Sequence, residues 1–340
     1  MNATPLTLES VQEARARLDG GLRLTPCAYS APLSDLCGMS IFTKRDFEQV
    51  TGSFKERGAR NALLSLTPAQ RARGVIAASA GNHALGLAYH GGLLGIAVTV
   101  VMPKSAPSVK VSRCRALGAN VVLSGNTFDE AARFAVDCAL RENRTYVHPF
   151  DDPNVVAGQA TLALEVLEQV PGLDAIVVPV GGGGLLAGVA TVIKALSPET
   201  LVIGVEPAHA TSLTVALNAG RPVRVPTSSS VADGLLVSQV GEYTFHQART
   251  RVDDVVTVTE DDLSRAIFEL AEREDVRVEG AGAAALAACL SGKLGYLQGR
   301  RVVLPLTGRN IDPAVHSRAL WRGWTDRELS HEKQSAEVAH

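Results

Sequence analysis

The sequence predicts an α/β protein with two domains, each built on a parallel β-sheet that is covered by helices. The chain has 340 residues, which is long enough to form two hydrophobic cores. From Gly74 onward, short β-branched runs alternate with helical patterns. These runs are apolar almost throughout, as is typical of strands that are buried on both faces. The 31 glycines indicate close packing between helices and strands.

The first block of alternating elements lies between residues 69 and 150. Each predicted strand is separated from the next by a helical pattern, and such crossovers connect parallel strands. We therefore predict a small parallel-sheet domain here. Its predicted strands are 75–78, 98–102, 121–123 and 145–147, and its predicted helices are 83–94, 108–117 and 128–141.

The pattern resumes after Asp151 and predicts a larger domain from residues 1–68 and 151–322. A polar passage over residues 221–230 interrupts it and is predicted to be a long loop, a kind of segment that often carries function. We expect residues 323–340 to form a charged, irregular tail. The predicted strands are 175–180, 201–205, 255–258 and 301–305, and the predicted helices are 155–170, 185–196, 260–272 and 281–290.

Composition and charge exclude several classes of ligand. The net charge is −2, so no basic surface for nucleic acid or an anionic membrane is predicted. The apolar runs are shorter than the ~20 residues that a membrane helix needs. The five cysteines are scattered without a C-x-x-C pair, which indicates reduced thiols rather than disulfides or zinc ligands. Residues 1–20 contain no apolar signal core, so we expect a cytoplasmic protein with a small ligand.

The first motif is T-G-S-F-K-E-R-G at residues 51–58, where Lys55 stands at the start of a predicted helix (56–66). We expect the positive end of the helix dipole to lower the pKa of the Lys55 amine. A neutral amine can form a covalent bond with a carbonyl carbon, so Lys55 is a candidate for covalent catalysis. A lone lysine at a helix start is usually a solvated residue, but the Gly-Ser-Phe segment before it makes this loop more specific.

Two further motifs follow predicted strands and open predicted helices. S-A-G-N-H at residues 79–83 offers backbone N–H groups that can bind an anion such as a carboxylate, or it is an ordinary turn capped by a side chain. G-G-G-G-L at residues 181–185 suits a single phosphate. A dinucleotide site needs G-x-G-x-x-G with a later acid. Glu206 mimics that acid, so a nicotinamide-dependent dehydrogenase stays an alternative.

A fourth motif, T-G-R-N at residues 307–310, follows the last predicted strand. In this order the four motifs resemble the threonine/serine dehydratases and serine racemases, the fold type II pyridoxal-phosphate (PLP) enzymes. The resemblance covers residues 25–312, including P-F-D-D-P at 149–153 and A-D-G at 232–234. It implies two parallel-sheet domains like those of the tryptophan synthase β chain, with PLP in the cleft between them. The larger domain would bind PLP, and the small domain would bind the substrate carboxylate.

The resemblance also implies a role for each motif residue. Lys55 would bind PLP covalently and move the Cα proton. Phe54 would lie beside the ring and Asn82 would donate to the 3′ oxygen, while Thr307 would face the pyridine nitrogen, where Ser or Cys is usual. A neutral hydroxyl there favours β-elimination. The phosphate would be held by Gly181, Gly182, Gly183, Gly184 and Leu185, and the substrate carboxylate by Ser79, Ala80, Gly81, Asn82 and His83.

Three positions depart from the family pattern. Racemases carry Ser where this chain has Ala80, and a methyl group cannot carry a proton, so elimination is favoured. The acidic cluster of the metal-binding members is incomplete because Ser212 replaces a carboxylate; we predict no metal, and Glu206 and Ala210 would matter only if that site survives. Arg309 stands where small residues are usual. We expect it to face solvent, and the alternative is a contact with the substrate side chain.

These observations predict a PLP-dependent dehydratase, an ammonia-lyase, that is a cytoplasmic homodimer. The expected substrate is L-threonine or L-serine, with phenylserine and 3-hydroxyaspartate as further candidates. The products are a 2-oxo acid and ammonia. The alternatives are an amino-acid racemase, a β-replacement enzyme and a non-catalytic PLP-binding homologue.

Overall fold

Two separate β-sheets form the framework of the protein. The computed structural model describes residues 4–338, and among them no helix is long and apolar enough to cross a membrane. The strands are β1 (Cys27–Tyr29), β2 (Ser40–Lys44), β3 (Val75–Ala78), β4 (Val98–Met102), β5 (Asn120–Leu123), β6 (Thr145–Tyr146), β7 (Ala175–Pro179), β8 (Leu201–Pro207), β9 (Asp254–Val258) and β10 (Arg301–Pro305).

Helices connect most of these strands. The α-helices are α1 (Leu8–Leu18), α2 (Ala31–Cys37), α3 (Lys55–Leu64), α4 (Pro68–Arg73), α5 (Asn82–Leu94), α6 (Ser108–Ala116), α7 (Phe128–Arg141), α8 (Pro153–Gln169), α9 (Gly184–Leu196), α10 (Ser212–Ala219), α11 (Glu242–Ala248), α12 (Glu260–Glu274), α13 (Gly280–Leu290) and α14 (Pro313–Val338). Short 3₁₀ helices lie at Asp46–Glu48, Asp233–Leu235 and Gly295–Leu297.

The sheet topology confirms the predicted α/β class. The larger sheet has the order β1-β2-β10-β7-β8-β9, and the smaller sheet has the order β5-β4-β3-β6. All neighbouring strands are parallel except β1 and β2, which pair antiparallel. The smaller sheet uses residues from Val75 to Tyr146. The domain boundaries at 69 and 150 stay a prediction.

Both faces of the larger sheet are buried, because successive side chains of a strand point to opposite faces. Val177 and Ile203 belong to one hydrophobic core, whereas Ile176 and Val202 belong to another. The smaller sheet divides its residues in the same way between two further clusters. All residues of β3, β4 and β7 are buried. This explains why these strands read as continuous apolar runs in the sequence.

Helix α3 lies against α5 and α8, so it links the two parts of the fold. Glycines allow the close approach of α3 to α8: a Cβ atom at Gly58 would lie 2.7 Å from the carbonyl oxygen of Val155. A Cβ atom at Gly158 would lie 2.5 Å from the carbonyl oxygen of Arg57. The two helix backbones therefore nearly touch, and the position of α3 is closely defined.

A buried ionic cluster fixes the first turn of α3. The guanidinium of Arg57 donates to both carboxylate oxygens of Asp46, at 2.7 and 2.8 Å, and to Glu165 at 2.6 and 2.8 Å. Lys44, on β2, donates to Glu165 at 2.5 Å and to the carbonyl oxygen of Thr25 at 2.6 Å. The side chains of Arg57, Asp46 and Lys44 are at most 1% exposed. Two cations and two carboxylates thus neutralise one another inside the fold.

The C-terminal segment differs from the predicted irregular tail. Helix α14 continues from Pro313 to Val338. Its inner side packs on α12: Ala319 is 4% exposed, and a Cβ atom at Gly323 would lie 2.3 Å from the carbonyl oxygen of Ser264. In the sequence this segment shows several charged residues after Arg322, which is why it was predicted to be a tail. Residues 339–340 lie outside the described residues.

We expect the Arg57→Met variant to lose about 3–5 kcal/mol of unfolding free energy, because Asp46 would remain buried without its cation. Urea unfolding measures this loss. The matched control is Arg15→Ala, since Arg15 pairs with Glu168 at the surface, where both side chains are about half exposed. That variant is expected to lose less than ~1 kcal/mol. Equal losses in the two variants would contradict the structural role of the buried cluster.

Candidate active site

A cavity of ≈ 910 Å³ opens where the carboxyl ends of both sheets meet. Segments that follow β3, β6, β7 and β10 contribute to its wall. In open parallel sheets this edge is the usual position of a ligand site. The sequence motifs are brought together here, and the lining residues from these segments include Ser79, Ala80, Gly81, Asn82, His83, Pro149, Phe150, Gly181, Gly182, Gly183, Gly184, Leu185 and Thr307.

Lys55 is the first residue of α3 and lines the cavity. Its Nζ atom donates to the carbonyl oxygen of Pro149 at 2.8 Å and lies 5.2 Å from the centre of the Phe54 ring. Burial lowers the pKa of the amine to about 8, against the charge of Glu279, which raises it. The predicted lowering is therefore present, but its main cause is desolvation rather than the helix dipole.

The turn at residues 79–83 connects β3 to α5. Ser79 stabilises it, because its Oγ atom accepts hydrogen bonds from the N–H groups of Gly81 (3.2 Å) and Ala84 (3.3 Å). Gly81 faces open space, with no atom within 4 Å of a Cβ built on it. Backbone N–H groups at this helix start can therefore reach an anion in the cavity.

His83 contributes to this turn mainly through its backbone. Its ring Nε2 lies 3.2 Å from the carbonyl oxygen of Val147, which requires a proton on Nε2. Burial lowers the pKa of the ring to about 3, so the imidazole is neutral at physiological pH. The side chain is 2% exposed and is held against β6. A neutral, buried imidazole adds no charge to an anion site.

The Asn82 side chain is held on both sides of its amide. Its Nδ2 atom donates to Glu279 at 2.6 Å, and its Oδ1 atom accepts from Asn310 at 2.7 Å. Sequence reasoning missed Glu279, which is 5% exposed and precedes α13. The signal was a single acid before the small-residue run G-A-G-A-A-A. Burial raises the pKa of Glu279 to about 7.

The four-glycine loop follows β7 and leads into α9. Gly183 has φ = 89°, in the left-handed region that favours glycine. A Cβ atom at Gly182 would lie 2.1 Å from the Phe150 ring, so no larger residue fits. Thr244 fixes the loop by donating to the carbonyl oxygen of Gly182 at 2.7 Å. The first N–H groups of α9 have no helical partner and can therefore bind an anion.

Thr307 lies at the carboxyl end of β10 and is 2% exposed. Its Oγ1 atom is 3.4 Å from the carbonyl oxygen of Ala281, a long hydrogen bond that a ligand could replace. The backbone around it is tied to the lysine loop, because Phe54 donates its N–H to the carbonyl oxygen of Thr307 at 3.0 Å. The hydroxyl and the lysine are therefore positioned by one local structure.

Glu206 has a structural role in the described chain. Its carboxylate accepts from the N–H groups of Leu213 (2.6 Å) and Thr214 (2.9 Å) and from the Thr214 hydroxyl (2.7 Å), all at the start of α10. Burial raises its pKa against these bonds. Ala210, nearby, is buried and apolar. Among the described residues, no three His, Cys, Asp or Glu side chains form a metal-binding group.

Arg309 is exposed and does not line the cavity. It borders a separate surface depression of ≈ 530 Å³ together with Arg23, Arg45 and Arg277. This position agrees with the predicted solvent orientation, and a contact with the substrate side chain stays the alternative prediction.

The two parallel sheets and the cavity at their carboxyl ends are features of an α/β enzyme. The chain belongs to the family described as pyridoxal-phosphate dependent enzyme, whose model matches residues 18–308. This confirms the predicted resemblance. Over 318 residues the chain is 43% identical to an L-threonine ammonia-lyase of Thermotoga maritima, covering 94% of this chain and 79% of that protein.

Solved structures agree with this assignment. The processed form of threonine deaminase isoform 2 from Solanum lycopersicum superposes with a TM-score of 0.89 at 36% identity, covering 94% of this chain and 90% of that one. Serine racemase from Dictyostelium discoideum gives 0.85 at 35% identity, covering 90% and 99%. Similar folds thus include both a threonine deaminase and a serine racemase. The fold alone therefore does not distinguish these two activities.

The residues present fit PLP. Lys55 supplies an amine of lowered pKa at the cavity wall. The glycine loop, which lines the cavity, and the N–H groups at the start of α9 suit a phosphate. The amide of Asn82 uses one Nδ2 hydrogen on Glu279, which leaves the other for a ligand oxygen. Each part of the cofactor therefore has a matching group.

We expect Lys55 of the cofactor-free protein to react with a carbonyl reagent at lower pH than a surface lysine. Its modification should follow a pKa of about 8, and exposed Lys104 serves as the surface control. Pulse labelling across pH 6–11 with peptide mass spectrometry measures both in one sample. The same midpoint for the two lysines would contradict the desolvation of Lys55.

Proposed function

We propose that this chain is a PLP-dependent dehydratase that converts L-threonine or L-serine to a 2-oxo acid and ammonia. The observation that carries the proposal is the Lys55 amine, whose pKa is lowered by burial. It lines the same cavity as the four-glycine loop, which suits a phosphate, and the turn at residues 79–83, which suits a carboxylate. A relative named L-threonine ammonia-lyase, 43% identical, supports the same reaction. Phenylserine and 3-hydroxyaspartate remain further candidate substrates.

The proposed cofactor contacts use groups that already line the cavity. Lys55 would bind PLP covalently, Phe54 would lie beside the ring, and Asn82 and Thr307 would contact the 3′ oxygen and the pyridine nitrogen. The backbone of Gly181, Gly182, Gly183, Gly184 and Leu185 would hold the phosphate. The bound cofactor withdraws electrons from the substrate Cα and thereby acidifies its hydrogen.

The proposed substrate site is the turn of Ser79, Ala80, Gly81, Asn82 and His83. Its N–H groups would bind the substrate carboxylate at the positive end of α5. This contact would orient Cα toward Lys55, whose neutral Nζ atom would take the Cα proton. The β-hydroxyl would leave as water, taking up one proton to balance the one removed from Cα. One water would then hydrolyse the released unsaturated amine, so the net products are a 2-oxo acid and ammonia.

Ala80 is the residue that separates this proposal from a racemase. Racemisation through two bases needs a second proton carrier on the face of Cα opposite to Lys55. The methyl group of Ala80 lines the cavity and has no proton to exchange. Elimination needs only the one base that Lys55 supplies.

The proposal also includes a cytoplasmic homodimer and domain boundaries at residues 69 and 150.

We expect the purified protein with PLP to show the visible absorption band of lysine-bound cofactor and to release 2-oxo acid from L-threonine and L-serine. The Lys55→Ala variant should lose the band and at least ~10³-fold of the activity, because base and covalent link are both removed. Exposed Lys104→Ala is the matched control and should change neither.

The same reactions, examined by chiral chromatography, should contain no D-serine. A protein that binds PLP and forms D-serine without oxo acid would contradict elimination in favour of racemisation. A protein that binds PLP and leaves all these amino acids unchanged would favour a β-replacement enzyme or a non-catalytic homologue.

A further inference from the structure

A chain of hydrogen bonds runs from the edge of the cavity to its interior through two amides. Arg113, on α6, donates to Oδ1 of Asn310 at 2.8 Å. Asn310 donates from Nδ2 to Oδ1 of Asn82 at 2.7 Å, and Asn82 donates from Nδ2 to Glu279 at 2.6 Å. A cation, two amides and a carboxyl group thus follow one another, and all four side chains line the cavity.

The direction of this chain is fixed at Asn310. A guanidinium can only donate, so Arg113 requires an oxygen at the Asn310 atom that it contacts. Nδ2 of Asn310 also donates to the carbonyl oxygen of Thr51 at 2.8 Å, and a carbonyl can only accept. The Asn310 amide therefore has one possible orientation. Through Asn310 the orientation of Asn82 is fixed as well, with its NH₂ group toward Glu279.

The chain determines what Asn82 presents to a ligand. Asn310 uses both of its Nδ2 hydrogens, on Thr51 and on Asn82. Asn82 uses one Nδ2 hydrogen on Glu279 and retains the other. A rotation of the Asn82 amide by 180° would place its NH₂ group against the Nδ2 donor of Asn310, where two donors would repel each other. Only the observed orientation offers a donor to the cavity.

The four residues come from both parts of the fold. Asn82 and Arg113 belong to helices that accompany the smaller sheet, whereas Glu279 and Asn310 flank α13 and β10 at the larger sheet. The bonds between them therefore cross the cleft. These bonds form only when the two sheets are close enough. The orientation of the Asn82 amide therefore depends on the width of the cleft.

The charges around Glu279 also come from several elements. Asp233, in a 3₁₀ helix, repels the carboxylate, while Lys110 of α6 attracts it. Lys55 of α3 interacts with it across the cavity. The carboxyl group of Glu279 is thus surrounded by charges of both signs. Its hydrogen bond with the Asn82 amide gives it a specific role in holding that side chain.

We propose that Arg113 and Glu279 are positioning residues that act through Asn310 and Asn82 to hold one N–H of the Asn82 amide toward the cofactor. The proposal rests on the proposed PLP site and adds two residues that need not touch PLP. It accounts for the asparagine of the T-G-R-N motif, to which sequence reasoning assigned no contact. The chain acts on cofactor binding, so its effect is measurable without turnover.

The test uses the affinity of the cofactor-free full chain for PLP and the position of the visible band of the bound cofactor. Asn310→Asp keeps the shape of the side chain but removes both donor hydrogens, so the Asn82 amide loses its fixed orientation. We expect PLP to bind about tenfold more weakly and the band to shift. The tenfold loss corresponds to ~1.4 kcal/mol, about the contribution of one hydrogen bond.

Variants at the two ends of the chain separate positioning from simple disruption of the fold. Arg113→Ala should weaken PLP binding several-fold, and Arg113→Lys, which restores a cationic donor, should recover most of it. Glu279→Gln keeps an acceptor for Asn82 and should bind PLP more tightly than Glu279→Ala. The matched control is Arg115→Ala, because Arg115 is exposed on the same helix but does not line the cavity.

The outcomes are distinct from those that test the proposed function. Wild-type affinity and an unshifted band in both Asn310→Asp and Arg113→Ala would overturn the inference while the dehydratase proposal stands. Equal losses in Arg113→Ala and Arg115→Ala would also overturn it, since they would indicate a general effect of charge. Failure of the wild-type chain to bind PLP would instead refute the proposed function.

Discussion

The buried placement of α3 is the constraint on which the rest of the site depends. Arg57 lies two residues after Lys55 and is held by Asp46 and Glu165 in a largely buried cluster. Replacing any one charge there leaves another unpaired, so the first turn of α3 has a single low-energy position. The backbone of Lys55, in the same turn, is held in place as well. Its long, flexible side chain therefore starts from a rigid backbone at the wall of the cavity.

The two parallel sheets supply the remaining groups for one geometric reason: the residue after each strand emerges at the same edge. The glycine loop after β7 and the turn after β3 both line the cavity. Each precedes a helix whose free N–H groups attract an anion. The fold thus provides two anion sites, one for a phosphate and one for a carboxylate, on either side of a desolvated amine. Desolvation weakens the amine's hold on its proton, which suits it to act as a base.

The sequence predicted the parts of the fold that local pattern controls. Strand β10 and helix α7 have the predicted bounds, because an apolar run and an amphipathic period are properties of neighbouring residues. Long-range contacts were not readable. Strand β1 is three residues long and pairs antiparallel, which leaves almost no pattern, and α14 owes its order to contacts with α12. In the site, Lys55 and the glycines were found from their motifs. Glu279 was missed because its importance arises only where its segment meets Asn82.

The central claim is that Lys55 carries the cofactor, and reduction of the PLP-loaded protein with borohydride tests it most directly. Reduction makes the lysine–cofactor bond permanent, so peptide mass spectrometry identifies the residue. The account predicts a single modified lysine, Lys55, in the peptide that includes Phe54. Modification of another lysine that lines the cavity, such as Lys110, or of none, would contradict it.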